Sequence, residues 1–167
     1  MNSEVSAESL TLLYSEYSND ILMSNGMQYE KTLLHHGEIS CYEHSVAVAC
    51  LSIKLAKYFR CDIDMRSLVR GALLHDYFLY DWHIAHESHH LHGFIHAKCA
   101  LKNAECDFSL SDIERDIIVK HMFPLNPQLP QYMESIIVNV ADKACAAREV
   151  LQYFFKAQMK RDKNGVH

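Results

Sequence analysis

The sequence predicts an all-α protein. Apolar residues recur at helical spacing along most of the chain, capping-box pairs stand where two of those stretches begin, and no stretch sustains strand-type alternation. Only five glycines and three prolines interrupt 167 residues. The expected form is a bundle of roughly six or seven helices. A chain of this length with 49% hydrophobic residues suits one domain with a sizeable core. We expect a single domain over 1–167, its core at about 36–160 and a frayed tail at 161–167.

In order, the first expected helix spans about Ala7 to Met23, where Leu10, Leu13, Tyr14, Tyr17, Ile21 and Leu22 line one face. Asn25-Gly26 reads as its end, with a short helix to follow up to Leu34. Ser40 with Glu43 forms a capping-box pattern. The helix it starts should run to about Phe59, with Val46, Ala49, Cys50, Ile53 and Ala56 inward and His44 in its first turns. Asp62 or Asp64 can cap the next helix, which continues through Leu68, Gly71 and Leu74 to His75-Asp76. Ser111 and Glu114 repeat the capping box ahead of Ile113, Ile117, Ile118 and Val119, a stripe that leads to His121. Pro124, Pro127 and Pro130 then impose an extended loop. The last helix should cover about Tyr132 to Lys160, with Ile136, Ile137, Val140, Ala144 and Val150 on or near its buried side.

Composition excludes several classes. A net charge of −5 argues against nucleic-acid duplex binding, which calls for a clustered basic surface, but is compatible with a small anionic substrate. Cysteines at 41, 50, 61, 99, 106 and 145 form no CxxC pair or regular framework, and read as free thiols in a reducing compartment. The N-terminal segment lacks the pattern of a secretory signal, and no apolar run approaches the roughly 18 residues of a membrane span. A soluble, cytoplasmic protein is expected.

The chemistry concentrates where polar groups interrupt apolar runs. His75 and Asp76 close the run Ala72-Leu73-Leu74, and burying an ionised Asp is costly unless it is paired or holds a cation. A core histidine beside a capping aspartate is the plain alternative. Asp142 poses the same problem within Val138-Asn139-Val140-Ala141-Asp142, and a cation again resolves it. Between them lies a histidine-rich stretch, 83–96, most of which needs no role beyond that of a polar loop. His92 and His96 stand four residues apart, a spacing that puts both on one helix face. The H-E-x-x-H pattern of zinc proteases is absent, since position 93 is Gly.

Taken together, His44, His75-Asp76 and Asp142 form an ordered H…HD…D set. The set resembles the HD superfamily of metal-dependent phosphohydrolases, and the likeness runs from about His36-Gly37 to Arg148. Its more specific parts are 40–46, Gly71 to Asp76, Leu91-His92-Gly93, Lys120-His121 and Ala141-Asp142-Lys143. The resemblance implies a helical HD-type bundle in which His44, His75, Asp76 and Asp142 hold a first metal. In two-metal branches His92 and His121 complete a second site and Asp76 bridges. By its shared helix face with His92, His96 could replace that residue or support it from outside the ligand set. Several branches carry a Lys or Glu three residues beyond the HD aspartate; here that position is Leu79.

Mixed imidazole and carboxylate ligands suit Mn, Fe, Co or Ni, with Zn possible and Mg less suited. One or two such ions lower the pKa of bound water toward about 7 and neutralise phosphoryl charge. The expected reaction is therefore hydrolysis of a phosphate ester or anhydride. The resemblance alone adds that the substrate is a nucleotide. Asp76 is the expected centre of the catalytic machinery. Asp81 is the candidate for proton transfer in place of a polar group at position 79, its alternative being a helix-end or loop carboxylate. Lys143, Lys120 and Arg70 are the cations nearest the motifs, each a candidate for a substrate phosphate or an ordinary surface charge. The competing class is a metal- or nucleotide-binding HD domain without catalysis.

Overall fold

The computed structural model describes residues 17–35, 37–60, 62–80 and 92–164, with side chains in the last stretch described from 96 to 159. Among the described residues there are seven helices and no strand: α1 (Asn19–Leu22), α2 (Asn25–Glu30), α3 (Cys41–Phe59), α4 (Met65–Leu74), α5 (His92–Asp107), α6 (Asp112–Lys120) and α7 (Met133–Asn164). None of these helices is long and apolar enough to cross a membrane.

Side-chain caps define the main starts. Ser40 Oγ accepts from the Glu43 amide at 3.2 Å, and the Glu43 carboxylate accepts from the Ser40 amide at 2.9 Å. Ser111 and Glu114 repeat this pair on α6, while Asp64 caps α4 by accepting from the Ser67 amide at 3.1 Å. These contacts satisfy amides that have no partner within the helix. Their register points His44 and the end of α4 inward. α3 packs against α4 and α7, α4 against α6, and α6 against α5 and α7, so the polar groups of several helices face one centre. The α4–α6 approach is close at Gly71, where an added Cβ would stand 2.4 Å from Ile117 Cδ1.

Beyond α4 the chain turns sharply. Phe78 N donates to Asp76 O at 2.7 Å, Leu79 adopts a left-handed backbone with φ 56°, and the Asn103 side-chain amide donates to the carbonyls of Tyr77 and Phe78 at 3.1 and 2.9 Å. Leu79 is thus part of the turn that presents His75-Asp76. A positive φ is costly for a branched side chain; the Asn103 clamp on the two preceding carbonyls helps hold the turn.

Several sequence expectations shift. Asn25-Gly26 opens a helix instead of ending one, because Ser24 Oγ caps it by accepting from the Met27 amide at 3.2 Å. The part of the first expected helix before residue 17 lies outside the described residues. On α7 the inner stripe is Val138, Ala141, Asp142, Cys145 and Glu149, which turns Ile136, Val140, Ala144 and Val150 to the exposed side. The helix also runs to Asn164, into the expected tail, since no helix breaker occurs before Gly165.

Arg70 is a further correction. It is 3% exposed, and its guanidinium donates to Glu114 at 3.1 Å, to Asp20 at 2.7 Å and to the Tyr17 carbonyl at 2.8 Å. Its Nε and Nη1 donors tie α1 and α6 to α4, so it stands as a buried strut and not as a surface cation for a phosphate. Arg70→Ala removes the buried partner of the Glu114 carboxylate, leaving it the half-exposed Arg66 and the Ser111 amide, and is expected to cost about 3 kcal/mol, read as a lower urea midpoint; an unchanged midpoint would contradict this role.

Candidate metal centre

Five helices and the turn after α4 deliver the centre. His44 comes from α3, His75 and Asp76 from the end of α4, His96 from α5, His121 from the C-cap of α6, and Asp142 from α7. On one side, His44 Nε2 lies 3.2 Å from Asp142 Oδ1, and His75 Nε2 lies 3.7 Å from Asp142 Oδ1 and 3.6 Å from Asp76 Oδ2. On the other, His96 Nε2 and His121 Nε2 are 2.9 Å apart, at 3.4 and 3.3 Å from Asp76 Oδ1. Asp76 stands between the two groups.

The imidazoles are aimed. His75 Nδ1 donates to the Ala72 carbonyl and His121 Nδ1 to the Ile118 carbonyl, both at 2.8 Å, while His44 Nδ1 faces the Glu149 carboxylate at 3.1 Å. A neutral imidazole that donates from Nδ1 keeps its lone pair at Nε2. The Nε2 atoms of three helices thus converge as acceptors. His75 Nε2 is buried with no hydrogen-bond partner, a lone pair that a cation would satisfy. Donors bound to one ion at about 2.0–2.2 Å stand roughly 3 Å apart when adjacent, which matches this spacing. The residues therefore fit a divalent metal, and His44-His75-Asp76 and Asp76-His96-His121 are each grouped tightly enough to hold one.

Electrostatics agree. Burial would raise the Asp76 carboxyl, but the imidazoles gathered around it, His75 first and then His121, His35 and His96, hold it well below the usual range. Asp142 is treated likewise: burial opposes ionisation, yet His44 and His75 keep it lowered. Burial lowers His121 and outweighs the neighbouring carboxylate, so this ring favours the neutral form a metal ligand needs.

Of the residues singled out in the sequence, His44, His75, Asp76, His121 and Asp142 meet here. His96 joins them, one turn along α5 from His92, whose side chain lies outside the described residues; Asp81 lies outside them altogether. The Lys143 ammonium donates to the His121 carbonyl at 2.9 Å, beside the centre. Lys120 is paired with Asp116 on its own helix. Three participants were not expected. His35 Nε2 lies 3.2 Å from Asp76 Oδ2 and its Nδ1 3.4 Å from Glu149. Glu149 follows Asp142 by seven residues, a same-face spacing that was the available clue. Glu30 ends α2 fully buried, with neither carboxylate oxygen hydrogen-bonded; burial and then the charge of Asp76 push it well above the ordinary range. Nothing in the local sequence marked it.

Helices that bring imidazoles and carboxylates to one buried point define an α-helical domain equipped to hold divalent cations. The chain matches the HD domain over residues 41–147 and belongs to that family. It matches no curated protein and no solved structure.

The pH response of the metal-free protein follows from two members. His35 opposes burial through hydrogen bonds to Asp76 and Glu149 and rises from 6.5 to about 9. Its stabilisation is complete below 6.5 and is lost as pH climbs through 9. In Glu149, burial is overcome by hydrogen bonds from His35 and His44, lowering it from 4.5 to about 2. That contribution is complete above 4.5 and is lost as pH falls through 2. Urea midpoints of metal-free protein should decline between pH 6.5 and 9, and His35→Gln should flatten this alkaline limb. A limb of equal slope in the variant would refute the assignment.

Proposed function

We propose that this HD domain is a metal-dependent phosphohydrolase that cleaves a phosphate ester or anhydride of a small anionic substrate, a nucleotide by its resemblance to the wider superfamily. The observation that carries the reading is the pair of donor groups sharing Asp76. His44, His75 and Asp142 would hold one ion, His96 and His121 the other, and Asp76 would offer one oxygen to each. His92 remains a candidate beside His96. Such ions supply charge neutralisation at phosphoryl oxygens and an acidified water. Mn, Fe, Co, Ni or Zn suits these ligands better than Mg.

The chain's own residues supply position and charge. Asp76 orients the reacting region from between the two groups. Lys143, on the exposed face of α7 with its ammonium at the His121 carbonyl, is our candidate for contact with a substrate phosphate; Lys120, whose ammonium pairs with the charged Asp116, is the second candidate. Proton transfer is assigned to Asp81. The free thiols among the described cysteines accord with a cytoplasmic setting.

Metal analysis of protein purified without added metal or chelator, followed by a nucleotide and phosphodiester panel, tests the proposal. Bound transition metal and turnover are expected. Asp76→Ala should lower turnover by at least about 100-fold with metal lost, and His121→Ala should lose one equivalent of ion. Asp81→Asn should slow turnover while keeping the metal. A metal-loaded protein inert on the whole panel would favour the non-catalytic reading, and wild-type turnover in folded Asp76→Ala would refute the mechanism.

A further inference from the structure

The loop between α2 and α3 reaches the metal centre from outside the ligand set. It is closed by the Leu34–Ser40 bridge, by His35 N donating to Ile39 O at 2.8 Å, and by Cys41 N donating to Leu33 O at 2.8 Å. Gly37, at φ 66°, lies against α7 so tightly that an added Cβ would stand 2.7 Å from Tyr153 Cδ2. Lys156 pairs with Glu38 at 3.2 Å. Glu149, Tyr153 and Lys156 follow one another at helical spacing on α7, so the loop and this face are fastened along two turns. His35 stacks on the ring of His44 with centroids 3.8 Å apart.

We propose that Glu149 and His35 form a brace that positions the metal ligands without binding metal. One carboxylate serves two rings: both Glu149 oxygens lie 3.1 Å from His44 Nδ1, and one of them 3.4 Å from His35 Nδ1. The contact to His44 fixes its tautomer, so that Nε2 faces Asp142 and the ion. His35 passes the constraint on, since its Nε2 holds Asp76 Oδ2 while Oδ1 stays turned toward His96 and His121. Glu149, His35 and Asp76 thereby couple the orientation of the first donor group to that of the carboxylate shared with the second. His35, His44 and Glu149 are also close enough to form a cation site of their own. His44 Nδ1 cannot both donate to Glu149 and ligate a third ion, and a backbone carbonyl plays the part of Glu149 at His75 and His121. The brace rests on the proposed metal centre, but assigns residues outside it.

Cobalt(II) titrations of wild type, Glu149→Gln and His35→Gln, with folding followed by circular dichroism, test the brace by affinity, stoichiometry and visible absorption. Outer partners of ligating imidazoles are worth about 10- to 100-fold in metal affinity. Glu149→Gln should weaken one cobalt equivalent by that factor and shift its absorption bands, with full stoichiometry restored at saturating cobalt. Glu149→Asp, which keeps the carboxylate, should recover part of the affinity. His35→Gln leaves the His44–Glu149 contact in place and gives a second reading should Glu149→Gln fail to fold; a loss of about tenfold is expected. Unchanged affinity and spectrum in a folded variant would overturn the brace and leave the metal centre standing. Loss of a whole equivalent at saturation would overturn it by making Glu149 a ligand. A wild type that binds no cobalt would remove the proposed function together with the brace.

Discussion

An ionised carboxylate at 5% exposure is stable only where charge or hydrogen-bond donors surround it, and Asp76 is in that position at the meeting point of the helices. His35, His75, His96 and His121 approach it from the loop before α3, from its own turn, from α5 and from α6. Much of the architecture supplies these partners. Helices that pack through apolar contacts are also joined through this polar point, and a cation would satisfy the lone pairs that remain.

Interactions away from the centre set the precision of that meeting. The Arg70–Glu114–Asp20 network locks α4 to α6 and α1 five residues before His75, and Gly71 lets α6 approach closely enough for His121 to arrive beside His75, their ring centroids 5.0 Å apart. Asn103 performs the same service from α5 by holding the turn after Asp76. The two polar contacts and the close approach at Gly71 each favour one arrangement of helices over near neighbours, and a metal site demands such a choice because its donors must agree to within a few tenths of an ångström.

The brace of His35 and Glu149 extends this logic outward. A ligand imidazole has two nitrogens, and the one that does not face the metal decides the state of the one that does. For His75 and His121 the partner is the carbonyl three residues earlier in the same helix, Ala72 and Ile118, so local backbone suffices. His44 instead faces a carboxylate from a helix 105 residues away, which makes the fastening of α7 to the α2–α3 loop part of the site.

Much of this protein was written in local pattern. Helical periodicity and the Ser40–Glu43 and Ser111–Glu114 capping boxes specify α3 and α6, because a cap is a contact between residues three apart. The pairing of a charged group with an apolar run exposed His75-Asp76 and Asp142, since the cost of burial is visible wherever the run is. What tertiary structure alone decided is which polar groups meet. Periodicity could not set the phase of α7, where apolar residues occur around the helix and inner and outer sides are chosen by contact with α3 and α6; hence Ile136 and Val140 face outward while Asp142 and Glu149 face in. Arg70 beside a motif in sequence became a strut, because its reach carried it to Glu114 and Asp20 first. Glu30 and His35 sit in stretches with no periodic or compositional mark, and they belong to the centre only because folding brings the α2–α3 segment against Asp76, a long-range approach that no window of neighbouring residues encodes.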